Sequence, residues 1–383
     1  MPALADGPIL ASQGPRYKRS HMPLNYPLRF SPVFRRYLWG GRRLGTDLGR
    51  PIGPENDYAE SWEIVDHGND QCVVRNGPFA GTTLGQLVRE RRSELFGEHP
   101  GESPGDVAGR SAPFVSGGPL RPSEPLGFPL LFKYLDAHKP LSVQVHPDDR
   151  QAARLQPPDR GKTEAWVILH AEPGSVIHAG LRPGVDSATL RRSLLEGTVE
   201  SCLHNFHPSV GDCVFIPAGT VHALGAGLLV AEIQQSSDTT YRLFDWNRLD
   251  AHGKARPLHI EESLTTIDFR RGPIDPIPRP MAAVGMRQRL VRCDKFELDR
   301  YFPHPIDAFG GDSRFHLLVV VAGRIRLGVE AIREELRSGD LALLPASMGR
   351  CECESEPGSE ILEITVPIDA GILTDRVAAS IGR

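Results

Sequence analysis

The stretch Leu141–Asp149, LSVQVHPDD, sets Ser142, Gln144 and His146 two residues apart inside an apolar run. At the period of a strand these three polar side chains share one face, and Leu141, Val143 and Val145 share the other. The stretch follows the apolar segment PLLFKYL, Pro129 to Leu135. A polar face next to such a segment needs partners, because each unpaired polar group in a dry interior costs on the order of 1–3 kcal/mol. Something polar or metallic has to stand opposite. Two further stretches repeat the device. Gly161-Lys162-Thr163-Glu164 places Lys162 and Glu164 two apart, and Pro217-Ala218-Gly219-Thr220-Val221-His222 brings a second histidine to a strand–turn junction. Two histidines, a carboxylate and an amide are thus available to converge on one ion. Oxygen from carboxylate and amide together with imidazole nitrogen suits zinc and other divalent first-row metals.

The 383 residues, 40% hydrophobic and 24% charged, suit one large β-rich domain or two packed ones. A net charge of -4 is spread along the chain, with neither a basic stripe for nucleic acid nor an acidic tail. A small-molecule ligand is therefore the default partner. No apolar run approaches the roughly 20 residues that span a bilayer, and the N-terminus lacks a signal pattern, so the expected location is the cytoplasm. The six cysteines include no C-x-x-C pair and are expected to be isolated buried thiols.

Taken in order, residues 1–23 carry no periodicity and are expected to form a disordered arm. Tyr26 to Trp39 alternates like edge strands, and Ala59 to Val65 is a short strand in which Trp62 enters the core and the glutamates stay solvated. Thr82 or Thr83 caps a helix through Leu84, Leu87, Val88 and Leu95 that ends at Gly97. Glu98 to Gly127 is a Gly/Pro-rich inserted loop. Asp186 or Ser187 starts a helix that ends near Gly197, after which Val210–Pro217, His222–Leu224 and Leu228–Gln234 read as strands. The proline-rich RGPIDPIPRP, Arg271 to Pro280, is the expected domain boundary, and the chain beyond it is β in pattern. Residues 211–218, GDCVFIPA, and 339–346, GDLALLPA, share G-D-x-x-x-[IL]-P-A, which suggests a duplicated barrel segment. Five residues past the proline the first copy has His222 and the second Arg350. The second copy also lacks counterparts of Gln144, His146 and Glu164, so one barrel is expected to hold metal and the other to have lost it.

The G-D-x-x-x-[IL]-P-A-G-x-x-H stretch resembles the second motif of cupins. Together and in order, SVQVHPDD, GKTEAW, PAGTVHALGAG and AEIQQSSDTTYRLFDW resemble type I phosphomannose isomerases of the short bacterial form, from Tyr26 to Pro367. The resemblance implies a mainly β fold of cupin-type jelly-roll barrels with a few helices. It divides the chain into a metal-bearing catalytic domain over 24–270 and a degenerate cupin-like domain over 281–383. One Zn2+ per chain, or another divalent first-row metal, would be held by Gln144, His146, Glu164 and His222. The implied reaction is the reversible isomerisation of mannose 6-phosphate and fructose 6-phosphate through an enediolate. Arg242, Lys162 and Glu232 would be catalytic, and Ser142, Lys162 and Arg242 would bind substrate. An arginine fork and a lysine charge suit a phosphate or an oxyanion. The base stays open among Lys162, Glu232 and a metal-organised water. Two alternatives keep the pocket: a non-catalytic sugar-phosphate-binding cupin and a metal-dependent cupin oxidoreductase. His204, His207 and His316 are expected to be hydrogen-bonded core residues, and Trp39 and Trp62 to be core packing.

Overall fold

A computed structural model describes residues 22–97, 127–249, 253–329 and 332–367. The expected arm and inserted loop lie, apart from residues 22, 23 and 127, outside them. In the N-terminal half two antiparallel sheets face each other. The larger runs in the order Cys213–Ile216, Glu164–Ala171, Leu228–Gln235, Leu130–Ala137, Tyr58–Ile64, Val33–Gly41. The smaller runs Leu203–Phe206, Ile177–Leu181, His222–Leu224, Val143–Val145, Tyr241–Phe244. Leu130–Ala137 and Leu228–Gln235 are buried along their whole length, which is why both read as nearly continuous apolar runs.

Their two faces go to different cores. Leu135, Trp166, Ile168 and Val230 point between the two sheets, against Ile177, Ala179 and Leu224. Phe132, Tyr134, Val167, Ala231 and Ile233 point the other way, into a cluster shared with Leu298, Leu317, Val319, Leu343 and Ile364 of the C-terminal half. That half repeats the plan. One sheet runs Arg287–Arg292, Glu297–Tyr301, Glu360–Thr365, His316–Ala322, Leu341–Leu344, and the other Ile306–Gly310, Arg350–Ser355, Arg324–Val329, Ile332–Arg337. The two larger sheets thus pack back to back over one apolar layer.

Polar ties cross this layer in both directions. The buried guanidinium of Arg300 donates to the Gly211 carbonyl, and the Tyr134 hydroxyl donates to the Gly339 carbonyl at 3.0 Å. Each barrel's sheet therefore holds the other barrel's G-D turn. Both turn glycines need the left-handed backbone, with φ of +88° at Gly211 and +87° at Gly339, a region costly to residues with a Cβ. The proline-rich connection is more than a spacer. Ile277 exchanges backbone hydrogen bonds with Cys213 at 2.9 and 2.7 Å, extending the edge of the catalytic-side sheet.

The helix expected up to Gly97 is two helices. Thr83 and Gln86 form a capping box on Leu84–Glu90, and the backbone breaks at Arg91 before Arg92–Phe96. The break turns the chain so that Leu95 and Phe96 both bury. Ser187–Glu196 starts as expected, with the Asp186 carboxylate accepting from the Thr189 amide at 2.8 Å. It ends at Gly197 in the left-handed conformation. All six cysteines are free; five are buried and Cys293 is half-buried.

Candidate metal centre and active site

Strand register assembles the site. On the smaller sheet His222 lies opposite Gln144, and Gln144 opposite Arg242, in one row. His146 is two residues further on the same face. On the larger sheet Glu164 lies opposite Gln234, and the next row reads Trp166, Glu232, Lys133, Trp62. The polar halves of both faces meet inside the barrel, at the end away from the Leu135–Ile168–Val230 core.

His146, Glu164 and His222 are all buried, and one ligand atom from each lies within 4.8 Å of the others. The Nδ1 of His146 is 3.0 Å from the Thr239 carbonyl, and that of His222 is 2.9 Å from the Thr220 carbonyl. A carbonyl only accepts, so each Nδ1 carries the ring proton and each Nε2 presents a lone pair, met by Lys162 Nζ at 3.0 Å in His146 and by the Gln144 amide nitrogen at 3.2 Å in His222. Those lone pairs point at Glu164, His222 from 3.3 Å and His146 from 3.6 Å. Glu164 Oε1 is buried with no hydrogen-bond donor. Acceptors facing one another in a dry cleft call for positive charge: Lys162 meets His146 Nε2 and Glu164 Oε2, and Glu164 Oε1 opposite His222 Nε2 is left over, so the residues fit a metal. Gln144 places its amide 3.2 Å from His222 Nε2, and a half-turn of that amide would present its oxygen instead.

Burial, the Lys162 ammonium and the other ring hold His146 well below the usual histidine range. Burial and Lys162 push His222 down to about 3. Both rings are neutral, as ligation requires. Burial and Glu232 push the Glu164 carboxyl up to about 7, against the pull of Lys162.

Lys162 bridges the metal cluster and the second row. Its Nζ is 3.0 Å from His146 Nε2, donates to Glu164 Oε2, and lies 3.6 Å from Glu232 Oε1. Glu232 also accepts from the Trp166 indole at 3.1 Å and stands 3.3 Å from Lys133 Nζ. Burial alone would raise Glu232, but Lys133 and Lys162 outweigh it and hold the carboxyl below its usual value. Ser142 is buried, two residues before Gln144. Arg242 joins the row by strand register, opposite Gln144. Its Nη1 donates to the Pro257 carbonyl at 3.0 Å, and its buried Nε has no hydrogen-bond partner. Burial, Arg256 and Arg248 lower its pKa, against Asp245.

Four sequence expectations change. Glu60 and Glu63 are 8% and 6% exposed rather than solvated, because each meets a buried cation: Glu60 meets Lys133 at 3.6 Å and Glu63 meets Arg50 at 2.7 Å. His204 and His207 are hydrogen-bonded to Asp275 and to the Ser175 carbonyl, yet one is half-buried and the other exposed. His316 is a buried, hydrogen-bonded residue as expected, while Trp39 and Trp62 pack in the two cores. Sequence reasoning missed Lys133 altogether. Its signal was present: a lysine in a strand whose other residues bury on both faces has to find carboxylates.

The family model for "Phosphomannose isomerase type I, catalytic domain" matches residues 122–162. Mannose-6-phosphate isomerase ManA of Bacillus subtilis (strain 168) is 33% identical over 329 residues, covering 86% of this chain and 96% of the relative. A mannose-6-phosphate isomerase of Streptococcus mutans is 33% identical over 320 residues, covering 83% and 92%. The crystal structure of the mannose 6-phosphate isomerase from Bacillus subtilis superposes with a TM-score of 0.73 at 29% identity, covering 88% of this chain and 99% of that one. A third of residues identical over nearly the whole length of these relatives means that this chain belongs to the type I phosphomannose isomerase family.

Proposed function

We propose that this chain interconverts mannose 6-phosphate and fructose 6-phosphate around a zinc ion held by Gln144, His146, Glu164 and His222. One observation carries the reading: two buried imidazoles, each with its proton tied to a backbone carbonyl, aim their Nε2 lone pairs at a buried carboxylate whose Oε1 has no hydrogen-bond donor. One carboxylate and three neutral donors leave a dication half neutralised, and such an ion supplies Lewis acidity toward sugar oxygens.

The rest of the work belongs to side chains. In the open-chain aldose-to-ketose direction the proton at C2 leaves, negative charge spreads over O1 and O2 of the enediolate, the O2 hydroxyl proton passes to O1, and a proton returns at C1. Lys162, an ammonium beside Glu164 and Glu232, has no lone pair for the C2 proton. It steadies the enediolate and returns a proton from Nζ, while the C2 proton goes to the ionised Glu232 or to a metal-organised water. Glu232, held ionised by two lysines, also accepts hydrogen bonds and orients Lys162. Arg242, with an unpartnered Nε and two further arginines nearby, binds phosphate or oxyanion. Ser142 offers a hydroxyl to the sugar from the face it shares with Gln144 and His146.

The test is a coupled assay of purified protein with mannose 6-phosphate, before and after chelation and with zinc restored, alongside release of deuterium from C2-labelled substrate. Turnover and label release that vanish together on chelation and return with zinc are expected. Absence of both from folded, metal-replete protein would refute the assignment.

A further inference from the structure

The two G-D-x-x-x-[IL]-P-A segments allow the barrels to be compared position by position. In the first, Ile216 stands opposite Glu164; in the second, the matching Leu344 stands opposite His316. One strand further, Glu232 pairs with the residue two past Glu164, and Glu363 with the residue two past His316. On the next strand Glu232 faces Lys133, and Glu363 faces Asp299. Strand order is the same over five strands, the first sheet carrying Val33–Gly41 as a sixth. His316, Glu363 and Asp299 therefore hold the places of Glu164, Glu232 and Lys133. The expectation that the second copy has no counterpart of Glu164 is corrected: an imidazole stands there.

This second set is as buried as the first, with His316, Glu363 and Asp299 at 5%, 5% and 4% exposure. His316 Nδ1 is 2.7 Å from Glu363 Oε1, and Nε2 is 2.9 Å from Asp312 Oδ1. Ionised carboxylates only accept, so both ring nitrogens carry protons and the ring is an imidazolium. The remaining oxygens are taken up by arginines. Arg287 reaches Glu363 and, at 3.0 Å, Asp299; Arg289 also reaches Asp299. Arg314 meets Asp312 at 2.7 Å and Glu297 at 3.5 Å. With both ring lone pairs occupied, no imidazole nitrogen is left for a metal. Among the described residues the one His/Cys/Asp/Glu group arranged to hold an ion is that of the first barrel.

We propose that the second barrel carries a metal-free counterpart of the catalytic cluster, with the middle glutamate kept and the two flanking charges inverted, a clamp in which the His316 imidazolium between Glu363 and Asp312 supplies the positive charge internally. The clamp is pH-sensitive. Burial alone would lower the pKa of His316, but Asp312 and Glu363 outweigh it and raise the pKa above the ordinary 6.5. A raised histidine gives its full stabilisation below the unfolded value and loses it as pH rises through the folded one. The back of the same strand, Leu317 and Val319, packs in the shared core with Phe132, Tyr134 and Ile233, so loosening the clamp loosens the support of the catalytic sheet.

The test is a nitrogen-15 NMR titration of metal-loaded protein labelled with carbon-13 and nitrogen-15, with the His316 ring signal identified by through-bond correlation to its own backbone amide and checked by its loss in His316→Gln. Two protonated ring nitrogens and a midpoint above 6.5 are expected. A single-proton tautomer near neutral pH, or a midpoint at or below that value, overturns the proposal without reliance on any variant folding. Thermal unfolding of both proteins from about pH 5.5 to about pH 9 should show a deficit in His316→Gln that shrinks toward alkaline pH. A deficit independent of pH, or a second tightly bound metal per chain, would also overturn it.

Discussion

Lys133→Met tests the polar row most directly, because it removes one buried charge while nearly keeping the volume. Lys133 is 6% exposed and stands 3.3 Å from Glu232 Oε1 and 3.6 Å from Glu60 Oε2, with its ammonium 5.8 Å from the Trp62 ring centre. At an effective dielectric of about 20, two unit charges 3.3 Å apart attract by about 5 kcal/mol. Leaving a buried carboxylate without its partner costs about 3–5 kcal/mol in measured cases, so the two routes agree on scale. Urea unfolding of metal-loaded protein should therefore show Lys133→Met destabilised by about 3 kcal/mol or more. Lys133→Met combined with Glu232→Gln should recover part of that loss, since the charge left stranded is then gone. A loss below about 1 kcal/mol, or single costs that simply add in the double variant, would show that the row is not a buried ion network.

Other consequences are simpler to read. His222→Ala removes one of the two imidazole Nε2 lone pairs, so plasma-emission analysis should find the metal largely lost and the coupled assay should find turnover abolished; normal metal content would refute its assignment. Metal binds the folded site and not the unfolded chain, so zinc at a hundredfold excess over Kd should raise unfolding free energy by about 2.7 kcal/mol over the chelated protein. A midpoint indifferent to zinc would argue against the site. Thr83→Ala deletes one arm of a capping box and should cost about 1 kcal/mol in the same unfolding assay, without changing KM, because that helix caps the shared core and not the sugar pocket.

What the sequence determined by itself was local and periodic. The two-residue spacing of Gln144 with His146 and of Lys162 with Glu164 placed each pair on one face, since side-chain direction along a strand depends on nothing further away. The caps were legible to within one residue, Thr82 or Thr83 and Asp186 or Ser187, and the repeated G-D turns outright, for the same reason: each is a short-range hydrogen bond or a backbone angle that few residues tolerate. Tertiary structure decided what stands opposite. Lys133 lies far from Glu60 and Glu232 in the chain, and only strand register makes the three one ion network. Glu60 and Glu63 read as solvated because nothing local announced the cations that make their burial affordable. The likeness between His316 and Glu164 is invisible to alignment, since the residues share no chemistry; it emerges when each is found opposite the matching residue of its own G-D strand. Periodicity assigns a side chain to a face, but the partner across that face comes from a segment elsewhere in the chain, and only folding brings it there.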